Sequence, residues 1–123
     1  MNAVIHAARS KNNDNDPKRT SSTAKVGTAG ILLKAGEGRL YRLDVVNTAE
    51  TPYYVMVFDK ATAPVNGDTP IWRRLLPESG ELVLDLETFG LGCALGIGIA
   101  ISSTDATLTL AEAADVHFAA HWK

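Results

Sequence analysis

Short strand-like runs separated by glycine- and proline-rich turns dominate the middle of this 123-residue chain. Two such runs, 53–59 and 71–76, flank a loop at 60–70 that contains Pro64, Gly67 and Pro70. Strands of this length, rich in β-branched and aromatic residues and punctuated by such turns, are typical of antiparallel β-sandwiches and barrels. The pattern therefore predicts an all-β domain.

The same pattern continues on both sides of this region. Leu82, Leu84 and Leu86 recur at every second position, with Glu81 and Asp85 on the other face, which predicts a strand with one face toward a core. Residues 35–38, Ala-Gly-Glu-Gly, are predicted to form a hairpin-type connection. The predicted fold is an antiparallel β-sandwich, jelly-roll-like, with an extended N-terminal arm. Its strands are predicted close to residues 26–34, 39–47, 53–59, 71–76, 81–87, 93–103 and 115–122.

Three segments need a specific interpretation. The run at 53–58 is apolar on both faces, so it is either central to a covered sheet or partly buried against another subunit. Residues 103–115 mix strand-like alternation with helix-forming residues, and we predict an extended strand followed by a short turn. The glycines within 90–98 are expected to let a strand bend or another backbone approach closely.

The N-terminal region differs sharply in composition from the rest. Residues 9–23 contain no large apolar side chain, so burial cannot offset the entropy lost on ordering them. We therefore divide the chain into an extended polar arm, 1–24, and a β-sandwich domain, 25–123. The arm, residues 1–23, is predicted to run away from its own sandwich and to contact another subunit.

Charge and composition exclude several classes of protein. The net charge is −2 and the isoelectric point is near 5.9, so no global field attracts nucleic acid or an acidic membrane. The single cysteine, Cys93, excludes an internal disulfide and a thiolate zinc site. The longest apolar run, 91–102, falls short of the ~20 residues of a membrane span, and residues 1–11 lack the features of a signal peptide. We predict a soluble protein made in the cytoplasm, without nucleic-acid or membrane partners.

Candidate chemical groups are sparse. His117 and His121 share a face of a predicted strand but would lie roughly 13 Å apart, so we interpret them, with His6, as surface or interface residues. Residues 66–68, Asn-Gly-Asp, would supply oxygen ligands for calcium or form a plain turn, and the turn is favoured. Cys93 is interpreted as a small buried residue. We predict no catalytic residue, metal or cofactor.

A basic and aromatic group offers the best candidate interface. Trp72, Arg73 and Arg74 are consecutive in the sequence, and Arg39 and Arg42 are grouped with them. They would suit a carbohydrate or single-stranded nucleic-acid platform, or ion pairs at a subunit contact, which we favour. The complete set of interface candidates is Tyr53, Tyr54, Trp72, Arg73, Arg74, Lys18 and Arg19.

A longer pattern carries a resemblance to a known group of proteins. It reads N-x5-Y-Y-x3-F-D-x-A-x2-P-x2-G-x-T-P and runs from Asn47 to Pro70. Leu-Pro at 76–77, Phe-Gly at 89–90, a glycine-interrupted apolar strand and a final strand ending in Trp-Lys follow it. Over about residues 30–123 the chain resembles small virion proteins of tailed bacteriophages, in which a β-sandwich decorates the capsid or builds neck and fibre parts.

The resemblance implies a structural, non-enzymatic role in the virion. The leading expectation is a capsid decoration (cement) protein, a trimer that binds across subunits of the major capsid protein and stabilises the head. The alternative is a neck, collar or tail-fibre component that recognises host glycan through Tyr53, Tyr54 or Trp72. A third reading, a small carbohydrate-active enzyme, would require paired catalytic groups that the sequence does not mark.

Overall fold

The regular secondary structure of the described residues consists of β-strands alone. The computed structural model describes residues 18–22, 28–86, 89–112 and 115–123, and these residues contain nine strands and no helix. The strands are β1 Lys18–Ser22, β2 Ile31–Ala35, β3 Gly38–Asn47, β4 Tyr53–Asp59, β5 Trp72–Leu76, β6 Gly80–Asp85, β7 Leu91–Cys93, β8 Gly96–Ser102 and β9 Val116–Trp122.

These strands form two antiparallel sheets packed as a sandwich. The β1 sheet has the order β1-β9-β3-β6, with the short β7 also paired to β3, and the β2 sheet has the order β2-β8-β4-β5. Apart from β7, the pairs are nested: β1 with β9, β2 with β8, β3 with β6 and β4 with β5. A long hairpin wound in this way into two sheets is a jelly roll. The predicted all-β antiparallel sandwich is confirmed.

The main core lies between the two sheets. In β3, Leu43 and Val45 are buried in it, whereas Arg42 lies on the outer face. A register shift between Leu40 and Arg42 resets the alternation, so that Leu40 is buried as well. The three leucines predicted to face inward in 81–87 all contact this core. Each fully buried aliphatic side chain contributes about 1.5–3 kcal/mol, so the core is the main source of stability.

Strand β4 is covered on both faces by its own chain. Val55 and Val57 belong to the main core, while Met56 and Phe58 form a second cluster with other buried residues on the outer face of the β2 sheet. Leu108, from the loop after β8, covers this second cluster. Of the two interpretations of 53–58, the structure shows a central strand in a covered sheet.

The loop between β4 and β5 lies against the glycines of β8. A Cβ atom on Gly98 would lie 2.8 Å from Cγ of Pro64, and one on Gly96 would lie 2.2 Å from the carbonyl oxygen of Lys60. Pro64 itself is buried. The expected close approach of another backbone is therefore confirmed, and it explains why a buried strand carries two glycines.

Two predicted connections are wrong, for one reason. Residues 93–103 do not form one strand, because the chain leaves the β1 sheet after Cys93, bends at Ala94 and Leu95, and enters the β2 sheet as β8. Likewise, residues 35–38 do not close a hairpin: β2 pairs with β8 and β3 with β9, so this segment passes from one sheet to the other. Local turn chemistry does not distinguish a change of direction within a sheet from a crossing between sheets.

The strand predicted near 107–110 is also wrong. The described residues of this segment contain an isolated bridge between Ser102 and Leu110 and a turn at Glu112. The loop is organised instead by packing of Leu108 and by the buried hydroxyl of Ser102, which accepts a hydrogen bond from the backbone N–H of Thr109 at 3.0 Å. Apolar alternation here reflects a loop that covers a sheet.

Part of the N-terminal arm belongs to the sandwich. Lys18–Ser22 forms β1, which pairs antiparallel with β9 of the same chain, from Lys18 opposite Trp122 to Ser22 opposite Phe118. For this segment the prediction that the arm runs away from its own sandwich is wrong. Backbone pairing with β9 orders it without any large apolar side chain. The rest of the predicted arm and the division at residue 24 lie outside the described residues.

Candidate functional site

The aromatic interface candidates fall on two faces of the β2 sheet. Tyr53 lies opposite Leu76 and Tyr54 opposite Leu75 in the pairing of β4 with β5. Tyr53 and Trp72 pack against the main core, whereas Tyr54 packs against the outer cluster. Since consecutive residues of a strand point to opposite faces, the two tyrosines do not form one stacking platform.

The two arginines lie on an exposed terminal strand. Strand β5 ends the β2 sheet and pairs with β4 alone among the described strands. Nε of Arg73 donates to Oδ1 of Asp105 at 2.7 Å. The guanidinium of Arg74 lies 5.3 Å from the ring centre of Trp72, a cation–π contact.

Two aliphatic side chains next to these arginines are also exposed to solvent. Ile71, next to the strand, and Leu75, within it, are 48% and 50% exposed. Residues Ile71 to Leu76, which we call the β5 edge, therefore combine half-exposed aliphatic groups with an aromatic ring and two arginines. Aromatic and arginine side chains are enriched at protein interfaces, and charged side chains also protect exposed sheet edges from unwanted pairing.

The remaining two candidates do not join this surface. Lys18 and Arg19 belong to β1, which terminates the β1 sheet at the end opposite to β6. Strand β6 follows β5 in the chain, so Lys18 and Arg19 lie at the edge opposite to the one that holds Trp72, Arg73 and Arg74, while Tyr53 and Tyr54 lie on the interior strand β4. Their role as interface residues stays a prediction.

A second sheet edge, which is acidic, lies near the β5 edge, and the sequence analysis did not identify it as a candidate surface. Strand β6 ends the β1 sheet and exposes Glu81, Val83 and Asp85. Asp85 faces Arg42 across the β3–β6 pair, with 3.7 Å between the carboxylate and the guanidinium. The alternation at 81–86 predicts that these side chains face the solvent. It does not predict that β6 lies near β5, because that proximity depends on how the two sheets pack.

A polar cleft opens at the end of the sandwich where β2 joins β3. Its volume is about 580 Å³. Nη1 of Arg39 donates to the carbonyl oxygen of Phe89 at 2.8 Å, and Arg39 is one of several charged residues around the opening. The lining comprises Lys34, Glu37, Gly38, Arg39, Tyr41, Asp59, Gly92, Cys93, Ala94 and Lys123.

Cys93, in the lining of this cleft, is not a reactive thiol. Burial, with a smaller contribution from the charge of Asp59, raises the pKa of Cys93 to about 11. The thiol is therefore protonated at neutral pH, and a protonated thiol is neither a nucleophile nor a metal ligand. The interpretation of Cys93 as a small buried residue is confirmed.

Asp59 holds the bend between β7 and β8. Its carboxylate accepts hydrogen bonds from the backbone N–H groups of Leu95 at 2.8 Å, Ala94 at 3.1 Å and Gly96 at 3.3 Å. These bonds, the one from Leu95 foremost, lower the pKa of Asp59 despite an opposing effect of burial. A negative charge is thereby fixed where the chain crosses between sheets.

Asn47 performs the equivalent task at the other end of the sandwich. Its side chain is buried, donates to the carbonyl oxygens of Thr51 at 2.9 Å and Pro77 at 3.1 Å, and accepts from the N–H of Ala49 at 2.9 Å. It therefore joins the loop after β3 to the turn after β5. Asn47 and Asp59 are both members of the 47–70 pattern, and both stabilise the fold.

The other candidate chemical groups also have structural surroundings. Residues 66–67 form a turn, as favoured over a calcium loop, and the side chain of Asn66 accepts from the N–H of Leu110 at 2.7 Å. His117 and His121 lie half-buried on the outer face of β9, and His6 lies outside the described residues. Across the described ranges, no three His, Cys, Asp or Glu side chains come together in a way that could hold a metal ion.

Comparison with known proteins gives a structural similarity at low sequence identity. No protein-family model matches this chain, and neither does any curated protein. The structure is similar to that of the coat protein of Tobacco streak virus, with a TM-score of 0.42 and 15% sequence identity over 89% of this chain and 85% of that chain. Among the described residues, no helix has the length and apolar character needed to cross a membrane.

Proposed function

We propose that this protein is a structural virion protein of a tailed bacteriophage, and specifically a capsid decoration protein that bridges subunits of the major capsid protein. The observation that carries the proposal is the β5 edge. A terminal strand with half-exposed Ile71 and Leu75 and with Arg73 and Arg74 beside them has the composition of an assembly interface. The resemblance of residues 30–123 to small phage virion proteins supports the same role.

The proposed mechanism is stabilisation by binding. A protein that binds the assembled shell, and not its separated subunits, shifts the equilibrium toward the intact shell by an amount set by affinity and concentration. A trimer multiplies modest individual contacts, because after the first contact the others form at a high effective concentration. The protein is made in the host cytoplasm and acts in the virion, and neither catalysis nor a cofactor is required.

Reconstitution on isolated heads tests this proposal. Heads that lack the protein would be mixed with purified wild type, heated in steps, and counted as intact particles by electron microscopy. We expect decorated heads to survive to a higher temperature than bare heads. Equal survival, or a protein that binds only at the neck or tail in a few copies, would contradict the decoration role.

A matched pair of variants ties the result to the β5 edge. Leu75→Asp and Val65→Asp each place a charge at a half-exposed aliphatic position, 50% and 54% exposed respectively. Leu75 lies in β5 and Val65 in the loop between β4 and β5. We expect Leu75→Asp to reduce occupancy on heads and Val65→Asp to leave it near wild type. Equal occupancy of the two variants would remove the β5 edge from the proposal.

A further inference from the structure

The turn at 66–67 is an Asn-Gly pair that is bound to the loop at 103–110, which we call the covering loop. The sequence contains no other Asn-Gly pair. Oδ1 of Asn66 accepts a hydrogen bond from the backbone N–H of Leu110 at 2.7 Å. The backbone N–H of Gly67 donates to the carbonyl oxygen of Leu108 at 2.9 Å. The asparagine side chain and the glycine amide are therefore both held by the same loop.

These two groups are the reactants of asparagine deamidation. In that reaction the backbone nitrogen of the next residue loses its proton and attacks Cγ of the asparagine, a succinimide ring closes, and ammonia leaves. Water then opens the ring, so that asparagine and water give ammonia and either aspartate or isoaspartate. A following glycine has no side chain to hinder the attack. Asn66 and Gly67 are both exposed, and a Cβ atom on Gly67 would have no neighbour within 4 Å.

We propose that Asn66 is a deamidation site whose reaction is gated by the covering loop. While the loop is closed, the Gly67 N–H is bonded to a carbonyl oxygen, which keeps a base from removing its proton. The bond from Leu110 holds the side chain of Asn66 at the same time. Opening of the loop releases both reactants together, so the population of the open loop sets the rate of the reaction.

Burial of Leu108 keeps the covering loop closed. Its side chain is 1% exposed and packs with Met56 and Phe58 on the outer face of the β2 sheet. Its own backbone N–H donates to the carbonyl oxygen of Asp68 at 2.9 Å, which adds a further link between the loop and the turn. The loop can open only if these apolar side chains become exposed to water.

The two products differ in their effect on the loop. Aspartate keeps an oxygen where Oδ1 of Asn66 lies, so it still accepts from the N–H of Leu110. Isoaspartate inserts one extra carbon atom into the main chain, so the acceptor and the Gly67 amide no longer match the loop together. In the isoaspartate form we expect the loop to stay open and to leave an exposed apolar patch around Met56 and Phe58.

Leu108→Ala and Leu84→Ala test the gate as a matched pair. Both remove the same atoms from a buried leucine, 1% and 6% exposed, but Leu84 belongs to the main core. The full-length proteins would be incubated at neutral pH, and deamidation of Asn66 would be followed by mass spectrometry of proteolytic peptides. We expect Leu108→Ala to react at least about tenfold faster than wild type, because losing buried leucine contacts favours the open loop by that factor or more. Leu84→Ala should stay within about twofold of wild type, since it does not open the loop.

Equal acceleration in the two variants would show that the reaction requires global unfolding, and an unchanged rate in Leu108→Ala would show that the loop does not protect Asn66. Either result overturns the gate, as does a native wild type that reacts as fast as the chain unfolded in urea. Circular dichroism shows whether each variant is folded at the start. Ser102→Ala removes the hydroxyl that binds the N–H of Thr109 in the same loop, and it should also accelerate the reaction. If Leu108→Ala does not fold, an unchanged rate in Ser102→Ala overturns the gate.

Binding of an apolar dye tests the consequence for the surface. Aged wild type enriched in isoaspartate should bind more dye than fresh protein, because the outer cluster is exposed. Asn66→Asp supplies the aspartate product directly and serves as the control, which should bind no more dye than fresh wild type. Equal dye binding by aged and fresh wild type would overturn the opening of the loop by isoaspartate.

Discussion

Gly96→Ala probes the packing that defines this sandwich. A Cβ atom at this position would lie 2.2 Å from the carbonyl oxygen of Lys60 and 2.7 Å from that of Lys34. Both neighbours are backbone atoms on either side of a buried strand, so relief requires movement of the loop after β4 or of β2. Overpacking of this kind costs about 1–3 kcal/mol and occasionally more.

The effect of Gly96→Ala on the unfolded state is stabilising and opposes this steric cost. Replacing glycine by alanine at an unstrained position stabilises a protein by about 0.4–1 kcal/mol, because the unfolded chain loses conformational freedom. The steric cost exceeds this gain, and we expect a net loss of about 2 kcal/mol in the free energy of unfolding. For a domain of this size that corresponds to a fall in Tm of about 8 °C.

Gly92→Ala is the matched control. A Cβ atom there would meet its nearest neighbour, the guanidinium of Arg39, at 3.5 Å, which is ordinary van der Waals contact. We therefore expect Gly92→Ala to be neutral or slightly stabilising. Chemical denaturation followed by circular dichroism measures both variants. If Gly96→Ala unfolds within about 0.5 kcal/mol of Gly92→Ala, the close approach of Lys60 to β8 is not present in solution.

Three further predictions concern polar groups. A hydrogen bond from the Leu95 N–H lowers the pKa of Asp59, and one from the Lys60 side chain lowers the pKa of Asp68. The stability that these two carboxylates contribute is therefore present above their ordinary pKa of 3.8. It is lost as the pH falls through their lowered pKa values in the folded protein. The denaturation midpoint should drop in acid, and a flat profile below pH 4 would contradict this. Asn47→Ala leaves buried backbone groups unpaired and should cost about 2 kcal/mol, with an unchanged midpoint as the contrary result. Ser102→Ala should accelerate hydrogen exchange at the backbone amide of Thr109, which donates to the Ser102 hydroxyl. Unaltered exchange at that amide would show that the hydroxyl does not hold the loop.

The local elements were readable from the sequence because each depends on neighbouring residues. Strand β4 was predicted with its observed bounds, since a run of β-branched and aromatic residues ends there at Asp59 and a loop begins. The leucines of β6 were placed correctly because period-two alternation reports directly which face is buried. The jelly-roll expectation followed from the number and length of such runs.

The crossings between sheets were not readable from the sequence. The bend at Ala94 and Leu95 depends on the carboxylate of Asp59, which lies more than thirty positions earlier in the chain and accepts their N–H groups. The covering loop after β8 likewise depends on Leu108 meeting Met56 and Phe58. Contacts between residues so distant in sequence have no local signal, so a strand and a loop with apolar alternation look alike.

The candidate interface shows the same limit from another direction. The sequence identified Arg73 and Arg74 because two adjacent arginines beside a tryptophan are conspicuous. It did not single out Glu81 on the next strand, because an acidic residue on the solvent face of a strand is common. Only the topology, which makes β5 and β6 terminal strands on one side of the sandwich, gives the two sets of charges a common surface.

The 47–70 pattern and the proposed interface therefore carry different information. Asn47 and Asp59 fix loops through their side chains, and Pro64 packs over Gly98. Residues at such positions maintain the architecture. Two proteins that share this pattern are therefore expected to share a fold, but not necessarily a binding partner. The β5 edge begins where the pattern stops, after Pro70. If the β5 edge is the binding surface that we propose, substitution at Arg73, Arg74 and their neighbours would change the partner while every pattern residue is kept. The proposed choice between a capsid, neck or fibre station would then depend on the edges of this sandwich and not on its core.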